Sequence, residues 1–199
     1  MFITNTIDTI FDLLKRDGLL RTSDALAAGI SRTTLSNMVK EGKLERIAHG
    51  QYVLPDNLPD ELYILQHRIG KMIYSHETAL FLHDMAERTP ARHSVTIPSD
   101  TKLPKTFAGD YKVYYVKPEL FNLGQITLPS KMGHEVKAYD AERTICDILR
   151  SRNRIDDQTV VAAMKIYASK KGKDLNRLSR YAVDFHVTKL LRQYLEVLL

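Results

Sequence analysis

Between Arg21 and Val53 the chain places small, polar and apolar residues at spacings that few folds accept. Ala25 and Gly29 stand four residues apart, a small side chain where two short helices would cross and a glycine where the chain must turn between them. Ile30, Leu35 and Met38 recur on one side of the turn and of the helix that follows, whereas Arg32, Thr33, Ser36, Asn37 and Lys40 fall on the other. Ser31 is suited to cap that helix and Gly42 to end it in a left-handed conformation, so the spacing predicts a helix over 32–41. Residues 44–47 and 51–53 then alternate as two short strands around the turn Ala48-His49-Gly50. The pattern is that of a helix-turn-helix with a small β-wing. Asp24 departs from it, because many such units place an apolar residue there.

The outward face of the second helix is rich in groups that bond phosphates and base edges. Arg32 and Asn37 can make bidentate contacts, to guanine and adenine respectively, while Lys40 near the helix end suits a phosphate. Ser31, Thr33, Thr34 and Ser36 complete the face, and Arg46 and His49 on the wing are expected near the DNA backbone or minor groove. The competing reading is a helical hairpin that shares the pattern without touching DNA.

At 199 residues the chain has room for one large domain or two small ones, and a winged helix so early in it favours two, 1–58 for DNA binding and 59–199 for a second function. A hydrophobic fraction of 44% and a charged fraction of 27% fit a soluble globular protein. No apolar run could span a bilayer, and Met1-Phe-Ile-Thr-Asn-Thr-Ile7 lacks the features of a signal peptide, so a cytoplasmic protein without membrane contact is expected. Cys146, the single cysteine, excludes an internal disulfide and any multi-cysteine zinc site within one chain, and reads as a buried thiol.

The net charge of +5 is unevenly spread: Lys plus Arg against Asp plus Glu runs 7 to 7 over residues 1–58, 4 to 6 over 59–100, and 18 to 11 over 101–199. Residues 150–192 alone carry eleven bases and four acids. Arg150, Arg152, Arg154, Lys170, Lys171 and Lys173 stand out within that stretch as a cluster able to hold a phosphate backbone or an acidic partner. The plainer alternative is a solvated helical surface.

Ile3, Ile7, Ile10, Phe11 and Leu14 repeat at helical spacing up to Asp17-Gly18, and a proline-bounded connector follows the wing at Pro55-Asp-Asn-Leu-Pro59. Helices are expected over 60–68 and 75–84, then strands over 94–98, 111–117, 126–128 and 135–139, which form a small sheet. After Asp140, a candidate N-cap, helices are expected over 141–151, 156–170, 174–182 and 186–198, with Val161, Leu175 and Leu198 among their apolar positions. The fold class is therefore α+β, an N-terminal winged helix-turn-helix followed by a mixed α/β domain with a small sheet and a helical, basic C-terminal half.

His76, Glu77, His83 and Asp84 offer the best enzymatic constellation, but seven residues of helix separate the two histidines by about 10 Å, too far for one shared ion. Satisfied core or surface histidines are expected instead, with Ala79, Leu80, Leu82 and Met85 packing inward. Glu142 and Arg143 diverge by about 100° around a helix and are expected to form local salt bridges or to anchor the sheet. Tyr111, Tyr114 and Tyr115 are read as packing residues. No catalytic residue, metal site or cofactor is assigned.

With both halves in view the chain resembles the AbiEi family of type IV toxin–antitoxin antitoxins over nearly its whole length. The stretch Gly18-Leu-Leu-Arg-Thr-Ser-Asp-Ala-Leu-Ala-Ala-Gly-Ile-Ser-Arg-Thr-Thr-Leu35 carries the first part of the likeness, with Gly42-Lys-Leu-Glu-Arg-Ile47 and Gly50-Gln-Tyr-Val-Leu54. Tyr74-Ser-His-Glu-Thr-Ala-Leu80, Val95-Thr-Ile-Pro98 and Tyr139-Asp-Ala-Glu-Arg-Thr-Ile145 carry the second. The resemblance implies a non-enzymatic, bifunctional protein of the abortive-infection, phage-resistance type. Its N-terminal winged helix would bind inverted repeats in its own promoter and repress the operon. Its C-terminal domain would counteract a cognate nucleotidyltransferase toxin without needing a stable complex, and the protein would be a monomer when free and paired on DNA. Two other classes remain open: a winged-helix regulator whose second domain senses a small ligand in an apolar pocket, and a metal-dependent phosphodiester enzyme.

Overall fold

The first helix, α1 (Phe2–Asp17), forms because Ile10 and Leu14 stand one turn apart and are both driven out of water. The computed structural model describes residues 2–55, 60–86, 88–103 and 111–198; the connector at 56–59 and the side chains of Ile3 and Leu198 lie outside the described residues. Strand β1 (Leu20–Arg21) leads into α2 (Thr22–Ala27), which is followed by α3 (Arg32–Lys40), β2 (Glu45–Ala48) and β3 (Gln51–Val53). The three strands form an antiparallel sheet in the order β1-β3-β2, with a register shift between Arg46 and Ala48. Ala25 is fully buried where α2 meets the core, and Gly29 takes the turn between the helices at φ +79°. Ile30, Leu35, Met38 and Leu44 close over the same core. These helices and strands lie where the spacing put them, an order consistent with a winged helix, with one short strand, β1, added to the sheet.

Contacts divide the chain into two compact units, Met1–Leu65 and Gln66–Leu199, with the division inside α4 (Glu61–Arg68). The second unit is a mixed α+β structure around a five-stranded sheet. Its strands are β4 (Ile73–Tyr74), β5 (Ser94–Pro98), β6 (Lys112–Val116), β7 (Gln125–Pro129) and β8 (Glu135–Tyr139), in the order β6-β5-β4-β8-β7. The β5–β6 and β4–β8 pairs are parallel, while β4–β5 and β7–β8 are antiparallel. Every residue of β5 is buried, as a central strand covered on both faces requires.

Helices α5 (His76–Leu82) and α6 (Pro118–Phe121) interrupt the strands, and α7 (Ala141–Arg150), a single 3-10 turn (Arg152–Arg154), α8 (Asp157–Ser169), α9 (Leu175–Asp184) and α10 (Thr188–Leu198) follow them. The core of the unit lies among α5, α7 and these last three helices, around Leu80, Ile145, Ile148, Met164, Leu178 and Leu191. Cys146 is a buried free thiol. Helix α7 is capped as its sequence predicts, by Asp140 Oδ1 accepting the Arg143 N–H at 2.7 Å. Val161, Leu175 and Tyr115 correct three inward assignments, being 37%, 39% and 54% exposed: Val161 lies beside the α8 face of Val160 and Met164, Leu175 is the first residue of α9, and Tyr115 points to the side of β6 opposite the buried Tyr114.

Candidate nucleic-acid interface

On α3 the two faces separate as the sequence dictates. Leu35 and Met38 are buried, and Arg32, Thr33, Ser36, Asn37 and Lys40 are exposed. The helix begins at Ser31, whose Oγ accepts the Thr34 N–H at 3.1 Å and stands 2.9 Å from the Thr34 hydroxyl. Ser31 and Thr34 are therefore occupied in building the helix terminus, which leaves the five exposed residues to face outward. Gly42, at φ +70°, closes the helix after Glu41.

On the wing, Arg46 donates from Nε to the Ala48 carbonyl at 3.3 Å and from Nη2 to His49 Nδ1 at 3.1 Å. Since a guanidinium only donates, that contact leaves the imidazole proton on Nε2. Asp24, the departure from the usual pattern, is accommodated at the surface: its carboxylate takes the Arg21 Nε–H at 2.8 Å in the first turn of α2, where a negative charge also suits the helix dipole.

In the second unit the six clustered bases divide into two groups. Arg150 and Arg152 are exposed, while Arg154 lies over the Tyr114 ring at 4.3 Å and donates to the Val113 carbonyl at 3.2 Å. Tyr114 in turn stacks on His76 with ring centroids 3.4 Å apart, so the arginines gather at the start of α5. Lys170 donates to the His83 carbonyl at 2.7 Å, beyond the other end of α5, and Lys173 donates to the Lys170 carbonyl at 3.2 Å. Lys171 is exposed. The two lysines are thus tied to backbone at one end of α5 while the arginines stand at the other.

His76 and His83 are satisfied histidines. His76 bonds the hydroxyls of Ser75 at 2.9 Å and Ser151 at 3.0 Å, and His83 Nε2 donates to the Tyr139 carbonyl at 2.7 Å. Burial, with Arg143 and Arg154 nearby, pushes the His76 pKa well below its ordinary value. Burial likewise lowers that of His83. His76 also holds a left-handed backbone at φ +48°, a conformation that persists only where surrounding contacts impose it.

Sequence reasoning missed how deep Arg143 lies. Its side chain is fully buried between the rings of Tyr139 and Phe185, at 4.0 and 3.9 Å. Nε donates to Asp147 Oδ1 at 3.0 Å, and Nη1 donates to the carbonyls of Leu120 and Leu123. Glu142 is buried on another side of α7 and accepts from the Tyr167 hydroxyl at 3.1 Å and the Asp174 N–H at 3.0 Å. The Arg143–Asp147 pair is the local salt bridge expected, one helical turn long, while the Glu142 bonds reach across the fold to α8 and α9. Burial raises the pKa of Asp147 against the opposing pull of Arg143. The one available signal was the i,i+4 spacing of Arg143 and Asp147 inside the apolar run Thr-Ile-Cys-Asp-Ile-Leu. A cavity of about 280 Å³ opens beside them, lined by His76, Tyr114, Arg143, Asp147, Arg150 and Arg154 among others. It is polar, unlike the apolar pocket that a ligand-sensing domain was expected to need.

No curated protein matches this sequence. The crystal structure of the RV2827C protein from Mycobacterium tuberculosis is similar in fold, with a TM-score of 0.62 and 14% identity over 90% of this chain and 71% of that one. Residues 8–55, which run from the first helix through the wing, match the family of transcriptional regulators described as AbiEi antitoxins.

Proposed function

We propose that the protein is an antitoxin and autorepressor that binds inverted repeats in its own promoter through α3 and counteracts a nucleotidyltransferase toxin through its second unit. One observation carries the reading: five exposed polar residues, Arg32, Thr33, Ser36, Asn37 and Lys40, share one face of a capped helix within the segment that matches the AbiEi family. Arg32 and Asn37 read bases in the major groove, Lys40 holds a phosphate, and Arg46 and His49 approach the backbone or minor groove. The protein acts without catalysis, in the cytoplasm, as a monomer that pairs on DNA in a type IV, phage-resistance system. Among the described residues no helix is long and apolar enough to cross a membrane.

The antitoxin surface includes Arg150, Arg152, Arg154, Lys170, Lys171 and Lys173, of which Arg150, Arg152, Arg154 and Lys171 are exposed. The test separates the two activities in the full chain. Arg32→Ala with Asn37→Ala should abolish operator binding in a gel-shift assay and leave rescue of cells from the toxin intact. Arg152→Ala with Lys171→Ala should weaken rescue and leave operator recognition intact. Loss of both activities in either folded variant would overturn the division of labour.

A further inference from the structure

The tip of the wing is tied down. Gly50 turns it at φ +70°, and its carbonyl accepts the Thr22 N–H at 2.9 Å, which fastens the tip to the first residue of α2. A Cβ at Gly50 would stand 3.1 Å from the Thr22 hydroxyl, so the conformation and the close approach both ask for glycine. The register shift between Arg46 and Ala48 lies just before this turn, and an extra residue at such a place re-aims the side chains around it.

Arg46 uses that geometry to fold back along its own strand. Its Nε–H goes to the Ala48 carbonyl at 3.3 Å and its Nη2 to His49 Nδ1 at 3.1 Å, so one guanidinium spans the last residue of β2 and the first of the turn. Two of its N–H directions are thereby used within the wing. The imidazole, accepting at Nδ1, carries its proton on Nε2, and that side chain is exposed. His49 therefore presents a donor to solvent rather than an acceptor.

The sign of that group matters for DNA. In the minor groove an A·T pair shows only acceptors, adenine N3 and thymine O2, whereas a G·C pair adds the guanine amino donor. A donor held at the wing tip suits the first and meets another donor at the second. Narrow A·T-rich minor grooves also attract histidine and arginine side chains by their negative potential. A phosphate would accept the same proton but would give no preference among bases.

We propose that His49 is the base-reading group of the wing, donating from Nε2 to a minor-groove acceptor at an A·T pair, and that Arg46 is its positioning residue, setting the tautomer and direction of the ring. The inference rests on the DNA-binding reading and deepens it at the wing. Two measurements on the full-length chain test it, the first without DNA. In two-bond proton–nitrogen spectra at pH 8, the His49 ring should be in the Nε2–H form alone, with the Nδ1–H form appearing in Arg46→Ala; the same mixture in both would overturn the positioning role. For the second, selection from randomised duplexes by the wild-type protein supplies the operator. Exchanging A·T for G·C pairs one at a time beside the major-groove site should weaken wild-type binding about fivefold at one position, the size expected for one hydrogen bond. His49→Ala should abolish that preference, Arg46→Ala should reduce it, and the double variant should lose no more than His49→Ala. Additive losses would make Arg46 a contact in its own right and overturn its role through His49. A selected operator whose base preferences are unchanged in His49→Ala would overturn this inference alone, whereas a wild type that selects no sequence would overturn the DNA-binding reading with it.

Discussion

The Arg143 guanidinium joins α7 to the carbonyls at Leu120 and Leu123 and pairs with Asp147 in the interior of the second unit. Arg143→Ala would strand Asp147 in the interior, and a loss of about 3–5 kcal/mol is expected by urea denaturation, in keeping with removal of one partner from a buried pair. His76 makes a pH prediction whose sign follows from its lowered pKa. The unfolded chain takes up a proton near pH 6.5 that the folded state refuses, so this contribution to stability is present above that pH and is lost as the pH falls. The loss approaches about 1.4 kcal/mol per pH unit below 6.5. Thermal melts between pH 7.5 and 5.5 should therefore fall more steeply for the wild type than for His76→Gln. The raised pKa of Asp147 acts in the opposite sense, its contribution being lost as the pH rises through its folded value. That term is common to both proteins and cancels in the comparison. The Asp140 cap was legible in the sequence because capping is a local bond. The burial of Arg143 was not, because the rings and carbonyls around its guanidinium come from residues up to about forty positions away.

Elements announced themselves where their pattern was long or sharply bounded. Strands over 94–98 and 135–139 and the helix from Arg32 lie where alternation, prolines and caps put them. The two-residue strands β1 and β4 carry no pattern of their own and exist only because β3, in one unit, and β5 and β8, in the other, pair with them. Val161 and Leu175 show the converse, apolar residues that helical spacing alone would turn inward but that their neighbours leave in water. Two substitutions probe element boundaries. Ser31→Ala removes the α3 cap and should lower stability by about 1 kcal/mol in denaturant titration, while weakening operator binding through a frayed helix start. Gly124→Ala should cost about 1–3 kcal/mol, since Gly124 stands at φ +77° and a Cβ there would meet the Arg143 Cβ at 2.8 Å. A thermal shift of a few degrees would reveal it.

For the whole molecule, charge distribution governs how DNA would be held. Residues 1–58 balance seven bases with seven acids, so electrostatic attraction from that region is confined to individual side chains such as Lys40, and the basic excess lies in residues 101–199. Lys40→Ala should weaken binding to all sequences and reduce the slope of log affinity against log salt by about one phosphate contact, whereas Arg32→Ala should cost about 1–3 kcal/mol at one base position and relax specificity there. Equal losses on every operator sequence from Arg32→Ala would remove its base-reading role. The sequence by itself determined α2, α3, the turn at Gly29 and the polar outward face of α3, because caps, turns and helical periodicity are settled within a few residues. Only the tertiary structure decided which charges are spoken for. Lys170 and Lys173 are tied to carbonyls, and Arg143 is enclosed between two rings and paired with Asp147. The reason is physical: a charge finds its partner or its solvent by folding distant segments together, and no spacing along the chain records that meeting.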